Sequence, residues 1–263
     1  MPAESDRRAP SGSARDDGQV VVFFDVGGTL VEVSPSIGHV YAQSCASRGA
    51  EVEPQALQHA FDRAWVALSD EVPRGADRYR LFPGGEREWW ELISSRAFDL
   101  CGVPIASRPH VDELRGVFAR ADAWRVYPEA REAIEALRRR GHRLGVISNW
   151  DSRLPSLLCA LGLQDAFETV VYSAAAGVEK PHPEIFRQAL DFMDVEAVRA
   201  VHIGDRFDED YAGARAAGLK ALLIGRGGRA TPLREELERD GEPSDLVGDL
   251  REAVDRILDP GAR

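Results

Sequence analysis

Three apolar runs in this chain end on a group able to do chemistry, and the loop beyond a fourth run carries another. Val20-Val21-Val22-Phe23-Phe24 leads into Asp25, followed by Val26-Gly27-Gly28-Thr29-Leu30. Residues 144–147 lead into Ser148-Asn149, and residues 200–203 into Gly204-Asp205, with Asp208, Glu209 and Asp210 close behind. The loop after residues 167–172 holds Lys180. The two glycines after Asp25 let the backbone turn sharply and approach a ligand closely. A carboxylate placed there can attack an electrophile or hold a cation; it can equally cap a βα turn. Lys180 stands apart chemically, because it and Lys220 are the only lysines among 33 basic residues. A compact, tunable ammonium does not substitute for the arginines used elsewhere.

The elements that must position these groups follow from periodicity. The apolar run 20–24, mostly β-branched or aromatic, reads as a strand buried on both faces. No strand pattern of any length occurs between residues 34 and 122. Four helices are expected there: one from Ser34 as N-cap, with Pro35 at the first helical position, to about 48; then 54–69, 86–100 and 109–121. Phe61, Trp65 and Leu68 share a face of the second, and Trp89, Trp90 and Ile93 lie on the third. From Trp124 onward, helices (129–140, 153–160, 184–192, 208–217) alternate with strands (144–147, 167–172, 200–203, 221–224), and the remainder is helical and charged. This rhythm predicts βαβ units and a parallel sheet, without fixing strand order. The expected class is α/β, a Rossmann-like doubly wound parallel sheet with an inserted all-helical domain. Residues 20–33 and 124–263 form the core, 34–123 the insert, and 1–19 a disordered polar tail. Strand ends in such a sheet share one edge. Asp25, Ser148, Asp205 and Lys180 should therefore meet in one crevice, which the insert can cover.

Composition narrows the partners. With 44% apolar and 29% charged residues, the chain reads as soluble and globular. A net charge of −11 argues against nucleic acid, though not against a small phosphate in a local positive pocket. No apolar run approaches membrane-spanning length. The first 19 residues lack the apolar core of a signal peptide, and Cys45, Cys101 and Cys159 show no disulfide framework, so a cytoplasmic protein is expected. Oligomeric state has no signal here. Gly225-Arg226-Gly227-Gly228-Arg229 mimics a dinucleotide fingerprint but follows the last clear strand rather than the first. The tryptophan pair reads as core rather than substrate platform, and His202 as a satisfied core histidine.

Taken in order, four motifs resemble those of the haloacid dehalogenase-like (HAD) hydrolases. They are Asp25-Val26-Gly27-Gly28-Thr29-Leu30; Val146-Ile147-Ser148-Asn149; Glu179-Lys180-Pro181-His182-Pro183-Glu184-Ile185-Phe186; and Ile203-Gly204-Asp205-Arg206-Phe207-Asp208-Glu209-Asp210. The insert is similar to that family's helical cap. The resemblance implies that Asp25 attacks phosphorus and forms an aspartyl-phosphate. It implies Mg²⁺ held by Asp25, the Gly27 carbonyl and Asp205, with Asp210 direct or through water. Lys180 would neutralise Asp25 and the phosphate. Ser148, the Gly28 N–H, Asn149 and Lys180 would hold the phosphoryl oxygens of a small phosphorylated substrate. Thr29 would order the turn, and Asn149 could instead only satisfy backbone groups.

One position departs from the family pattern. Most phosphatases of this family carry a second Asp two residues after the nucleophile, as general acid and base; here it is Gly27. Losing such a group costs about 10² to 10⁴ in rate. The 2-haloacid dehalogenases also lack it, but they are metal-independent, and Asp205, Asp208 and Asp210 argue against that activity. Phosphonoacetaldehyde hydrolases use a cap lysine, and this chain has none before Lys180. A third branch pairs an altered residue here with an acidic fourth motif. Glu51-Val52-Glu53-Pro54, Trp89-Trp90 and Ser173-Ala174-Ala175-Ala176-Gly177 resemble it. The expected function is a Mg²⁺-dependent, phosphatase-like hydrolase. The alternative is a catalytically weakened relative that binds a phosphorylated ligand or a protein partner. His39, in the insert, is a candidate for the missing acid, against a plain surface or packing histidine.

Overall fold

The computed structural model describes residues 19–103 and 108–259. The expected tail over 1–19 lies outside the described residues, apart from Gln19. In chain order, β1 (Val21–Phe24) is followed by the short β2 (Val31–Val33), then α1 (Ile37–Ala46), α2 (Pro54–Ser69), α3 (Gly85–Leu100) and α4 (Arg108–Phe118). The chain returns through β3 (Trp124–Val126), which pairs antiparallel with β2. Then come α5 (Pro128–Arg139), β4 (Arg143–Ser148), α6 (Leu154–Ala160), β5 (Thr169–Tyr172), α7 (Ser173–Ala176), α8 (Pro183–Phe192) and β6 (Ala200–Gly204). The last elements are α9 (Gly213–Ala216), β7 (Lys220–Ile224), α10 (Ala230–Asp240), β8 (Leu246–Val247) and α11 (Leu250–Leu258).

Six strands form one parallel sheet in the order β5-β4-β1-β6-β7-β8. β1 is central and buried along its whole length, as its apolar run predicts. Its residues alternate between the sheet's two faces. Val22 and Phe24 pack into a cluster with Leu137 of α5, Leu157 of α6 and Leu250 of α11, whereas Val21 and Phe23 join Phe186 of α8, Tyr211 and Leu237 of α10. The α/β, Rossmann-like reading is therefore correct. The chain winds outward from β1 to β4 and β5, then jumps back to β6, so the order reverses beside β1. Such a switch point opens a crevice at the strands' carboxyl ends.

Helices α1 to α4 bury a third cluster of their own around Tyr41, Trp89 and Phe98. They attach through the β2–β3 ribbon, which periodicity did not reveal because three residues per strand give too little pattern. The ribbon also moves the start of α1. Ser34 donates its N–H to Ala123 O at 2.9 Å, tying it to the β3 side, and Ser36 caps the helix by accepting from the His39 N–H. The expected helix 208–217 begins instead with a wide π turn over Phe207–Ala212. There the amides of Asp210 and Tyr211 both reach Arg206 O, at 2.9 and 3.2 Å. β8 lay hidden in the charged C-terminal stretch for the same reason as the ribbon.

Candidate active site

The switch point places Asp25 between its two neighbours from the adjoining strands, Ser148 on β4 and Asp205 after β6. Asp25 is only 7% exposed. One oxygen, Oδ1, accepts both from Ser148 Oγ and from Lys180 Nζ, each at 2.8 Å. Lys180 arrives on the loop after α7, where Gly177 adopts φ 77°, a left-handed conformation that lets the short helix stop. Its ammonium is buried, and its donors are used by Asp25, by Asp210 and by Ile147 O at 3.0 Å. Burial works against that charge, but the Asp210 and Asp25 carboxylates outweigh it and hold the group above its ordinary value.

Asp210 is the hub of the site. The wide turn folds its carboxylate back so that Oδ2 accepts the Asp205 and Arg206 amides at 3.1 and 2.9 Å. Oδ1 takes Lys180 and, at 3.0 Å, His202 Nε2. Burial alone would raise this carboxyl, but the Lys180 charge and these bonds hold it well below the usual range. His202 is thus more than a core residue. It holds the hub, while burial keeps its ring below the ordinary histidine value.

Asp205 differs from both. Burial, then the charges of Asp25 and Asp210, push its carboxyl up to about 7, despite Arg229 beside it. Arg229 donates to Asp205 Oδ2 and to its backbone oxygen, and Oδ1 is buried with no hydrogen-bond partner among the described residues. Ligand oxygens of Asp25, Asp205 and Asp210 lie within 4.8 Å of one another. A hard cation with oxygen ligands fits this cluster: it would satisfy the orphaned oxygen and relieve the carboxylate repulsion.

The glycines serve by lacking side chains. Gly28 has φ +80°, and a Cβ there would lie 2.3 Å from Asp205 Oδ2. Its N–H donates to Val31 O at 2.8 Å, so this amide is engaged in the turn rather than aimed at a ligand. A Cβ on Gly27 would lie 3.2 Å from Trp150 Cζ3. Thr29 is buried, but its Oγ1 has no partner among the described residues; its N–H, 3.4 Å from Val26 O, is what the turn uses. Asn149 grips the Lys180 loop, its Oδ1 accepting the Lys180 N–H at 2.7 Å and its Nδ2 donating to Lys180 O at 3.0 Å. Nδ2 also reaches Glu209 at 3.1 Å. Asn149 thus bonds the Lys180 backbone and the Glu209 side chain, and it also lines the cavity around Asp25.

Other residues reach the site without a sequence signal. Arg229 and Arg226 come from the false dinucleotide motif; Arg226 lies over the Tyr127 ring at 3.8 Å and donates to Glu129 and Thr29 O. Arg78, from the insert, makes a buried two-pronged pair with Glu179, at 2.7 and 3.0 Å. With 31 arginines along the chain, none of these could be told from the rest. His39 is exposed on α1 with its ring on Ser36, outside the wall of the cavity around Asp25. Trp89 is core, as expected, and Trp90 packs against the same cluster at partial burial, its Nε1 donating to the buried Asp151 at 2.8 Å.

A buried strand-end carboxylate with an ammonium, a hydroxyl and two further acids around it thus sits at the switch point of a parallel α/β sheet. The chain belongs to the haloacid dehalogenase-like hydrolases, whose family model matches residues 20–218. It is 38% identical over 204 residues to human haloacid dehalogenase-like hydrolase domain-containing protein 3, covering 76% of this chain and 80% of that protein. It is 36% identical over 204 residues to a phosphoserine phosphatase of Thermus thermophilus, covering 75% of each. Among solved structures, the L-2-haloacid dehalogenase of Xanthobacter autotrophicus shares the fold, with a TM-score of 0.64 at 18% identity, covering 93% of this chain and all of that one. Among the described residues, no helix is long and apolar enough to cross a membrane.

Proposed function

We propose that this chain is a Mg²⁺-dependent phosphatase acting on a small phosphorylated substrate through an aspartyl-phosphate on Asp25. The observation that carries the reading is the shared Asp25 Oδ1, fixed by Ser148 and Lys180, which leaves Oδ2 outside these bonds for attack. Lys180 pairs with the nucleophile and offsets charge on the phosphoryl group, and Ser148 orients both. Gly28 provides close approach, and Asn149 holds Lys180 in place. Asp25, Asp205 and the Gly27 carbonyl would hold the Mg²⁺, with Asp210 beside them; bound there, the ion supplies positive charge to the transferring phosphoryl group. The insert, residues 34–123, serves as a cap over the core formed by 20–33 and 124–263. The Arg78–Glu179 pair, the bond that Trp90 donates to Asp151 and the bond that Glu86 accepts from the Ser152 N–H support that role. Free cysteines at 45, 101 and 159 are in keeping with a reducing, cytoplasmic setting.

The test is acid-quench trapping of phosphoenzyme from p-nitrophenyl phosphate with Mg²⁺. Label on the native chain, and none on Asp25→Asn or with EDTA, is the expected result. The crowding of Gly27 by Trp150 favours a second reading, a relative with weakened turnover whose role is to bind a phosphorylated ligand or partner. Phosphate-dependent binding with no phosphoenzyme on a broad panel would select it. Dehalogenation is disfavoured by the three clustered carboxylates; chloride release from 2-chloropropionate would reverse that judgement.

A further inference from the structure

Two cavities of about 290 Å³ each lie side by side where the insert meets the sheet edge. One is polar and contains Asp25, Ser148 and Asp205. The other is mainly apolar and is walled by four of the chain's five tryptophans, Trp65, Trp90, Trp124 and Trp150. Trp65, Asn149 and Trp150 line both, so these three residues form the junction. About 150 Å³ is enough for a benzene ring, so a substituted ring fits the apolar cavity. A phosphoryl group against Asp25 lies beside this apolar cavity, whose wall includes indole rings 5.1 Å apart at Trp124 and Trp150.

The junction holds no acid. Indole and amide groups donate hydrogen bonds but do not release protons at neutral pH. Gly27 has no side chain, and a Cβ there would lie 3.2 Å from the Trp150 ring. Asp205 and Glu209 line the polar cavity but not the apolar one. The apolar cavity's own carboxylate, Asp62, accepts from Gln58 at 2.9 Å. A group leaving toward the apolar cavity meets no side-chain acid at the junction itself.

Resting on the assignment of Asp25 as nucleophile, we propose that the substrate class is an aryl phosphate monoester, its ring seated in the tryptophan-lined cavity and its oxygen leaving as a phenolate. An Asp25 oxygen forms the new bond to phosphorus as the bond from phosphorus to the aryl oxygen breaks. The electron pair stays on that oxygen, where resonance into the ring takes the place of protonation. Solvent protonates the phenolate after release. Water then takes the phosphoryl group from Asp25 and loses its proton to solvent, and the carboxylate is regenerated. With no base at position 27, this second step is the slow one.

Rapid-quench measurements with Mg²⁺ on a series of substituted phenyl phosphates, with glycerol 3-phosphate as the alkyl ester, test the chemistry. The expected result is a burst of phenol whose rate falls about tenfold for each one to two pH units of rise in the phenol's pKa, and no burst from the alkyl ester. Equal bursts from alkyl and aryl esters would overturn the proposal while leaving the aspartyl-phosphate reading intact. No burst from any ester would overturn both. Calorimetry with benzylphosphonate and methylphosphonate tests the cavity without turnover. Benzylphosphonate binding at least tenfold tighter, with that margin lost in Trp150→Ala, supports the ring site; equal affinities overturn it.

Discussion

Lys180 Nζ and Asp25 Oδ1 lie 2.8 Å apart, inside a site where the lysine is only 2% exposed. This ammonium pairs with two of the three buried carboxylates, Asp25 and Asp210, while Arg229 pairs with Asp205. Lys180→Met should abolish phosphoenzyme formation and lower stability by about 3–5 kcal/mol, because breaking a buried pair strands its partners. Urea denaturation together with the trapping assay would check both effects. A fully stable Lys180→Met would mean that the carboxylates share protons instead.

The Asp25 charge is one of the causes that raise Asp205 to about 7. Removing a like charge lets the remaining carboxylate ionise more easily. In the Asp25→Asn chain without Mg²⁺, Asp205 should therefore titrate below 7, and carbon NMR of its side chain would follow it. An unchanged midpoint would leave burial and the Asp210 charge as the causes.

Asp151, which accepts from Trp90 of α3, is open to a test through pH. Burial pushes its carboxyl up, but the hydrogen bonds and charge of Arg153 more than offset this and hold it below the ordinary value. A depressed folded-state pKa means that the stabilisation is fully present above about pH 4, the unfolded value, and is lost as pH falls through the folded one. Asp151→Asn should cost about 2–3 kcal/mol at pH 7. Its denaturation curve should converge on that of the native chain as the pH drops below 4. A gap that persists at pH 2 would show that packing, not charge, is what the substitution removed.

Gly27 and Trp150 should behave as a coupled pair. Since an added Cβ at 27 would lie 3.2 Å from the indole, Gly27→Asp forces the ring to yield. We expect Gly27→Asp to lose about 1 kcal/mol of stability and to gain little turnover alone. Combined with Trp150→Ala, which frees the space, it should gain more than the single changes predict together. A double-mutant cycle in kcat reads this coupling; strict additivity would show that the ring does not govern position 27.

Mg²⁺ should stabilise the native chain through Asp205. At a concentration 100 times its dissociation constant, the expected gain is about 2.7 kcal/mol. A rise in Tm on adding Mg²⁺, absent in Asp205→Asn, would bear this out; an equal rise in both would place the ion elsewhere.

The sequence by itself determined the rhythm of strands and helices and the strand ends that carry Asp25, Ser148 and Asp205. These are local matters: an apolar run too short for a helix, punctuated by glycine, specifies a buried strand and its end. The rarity of lysine marked Lys180 in the same way. Only the tertiary structure decided the strand order β5-β4-β1-β6-β7-β8, which depends on which crossovers close over which face and not on any single run. It also made Asp210 a hub held by His202 and two amides, through a wide turn that a helical pattern over 208–217 conceals. It brought Arg229 onto Asp205, and Trp150 beside Gly27, across gaps of 24 and 123 residues along the chain. Such contacts leave no periodic trace, because the residues are joined by packing between elements and not by spacing within one.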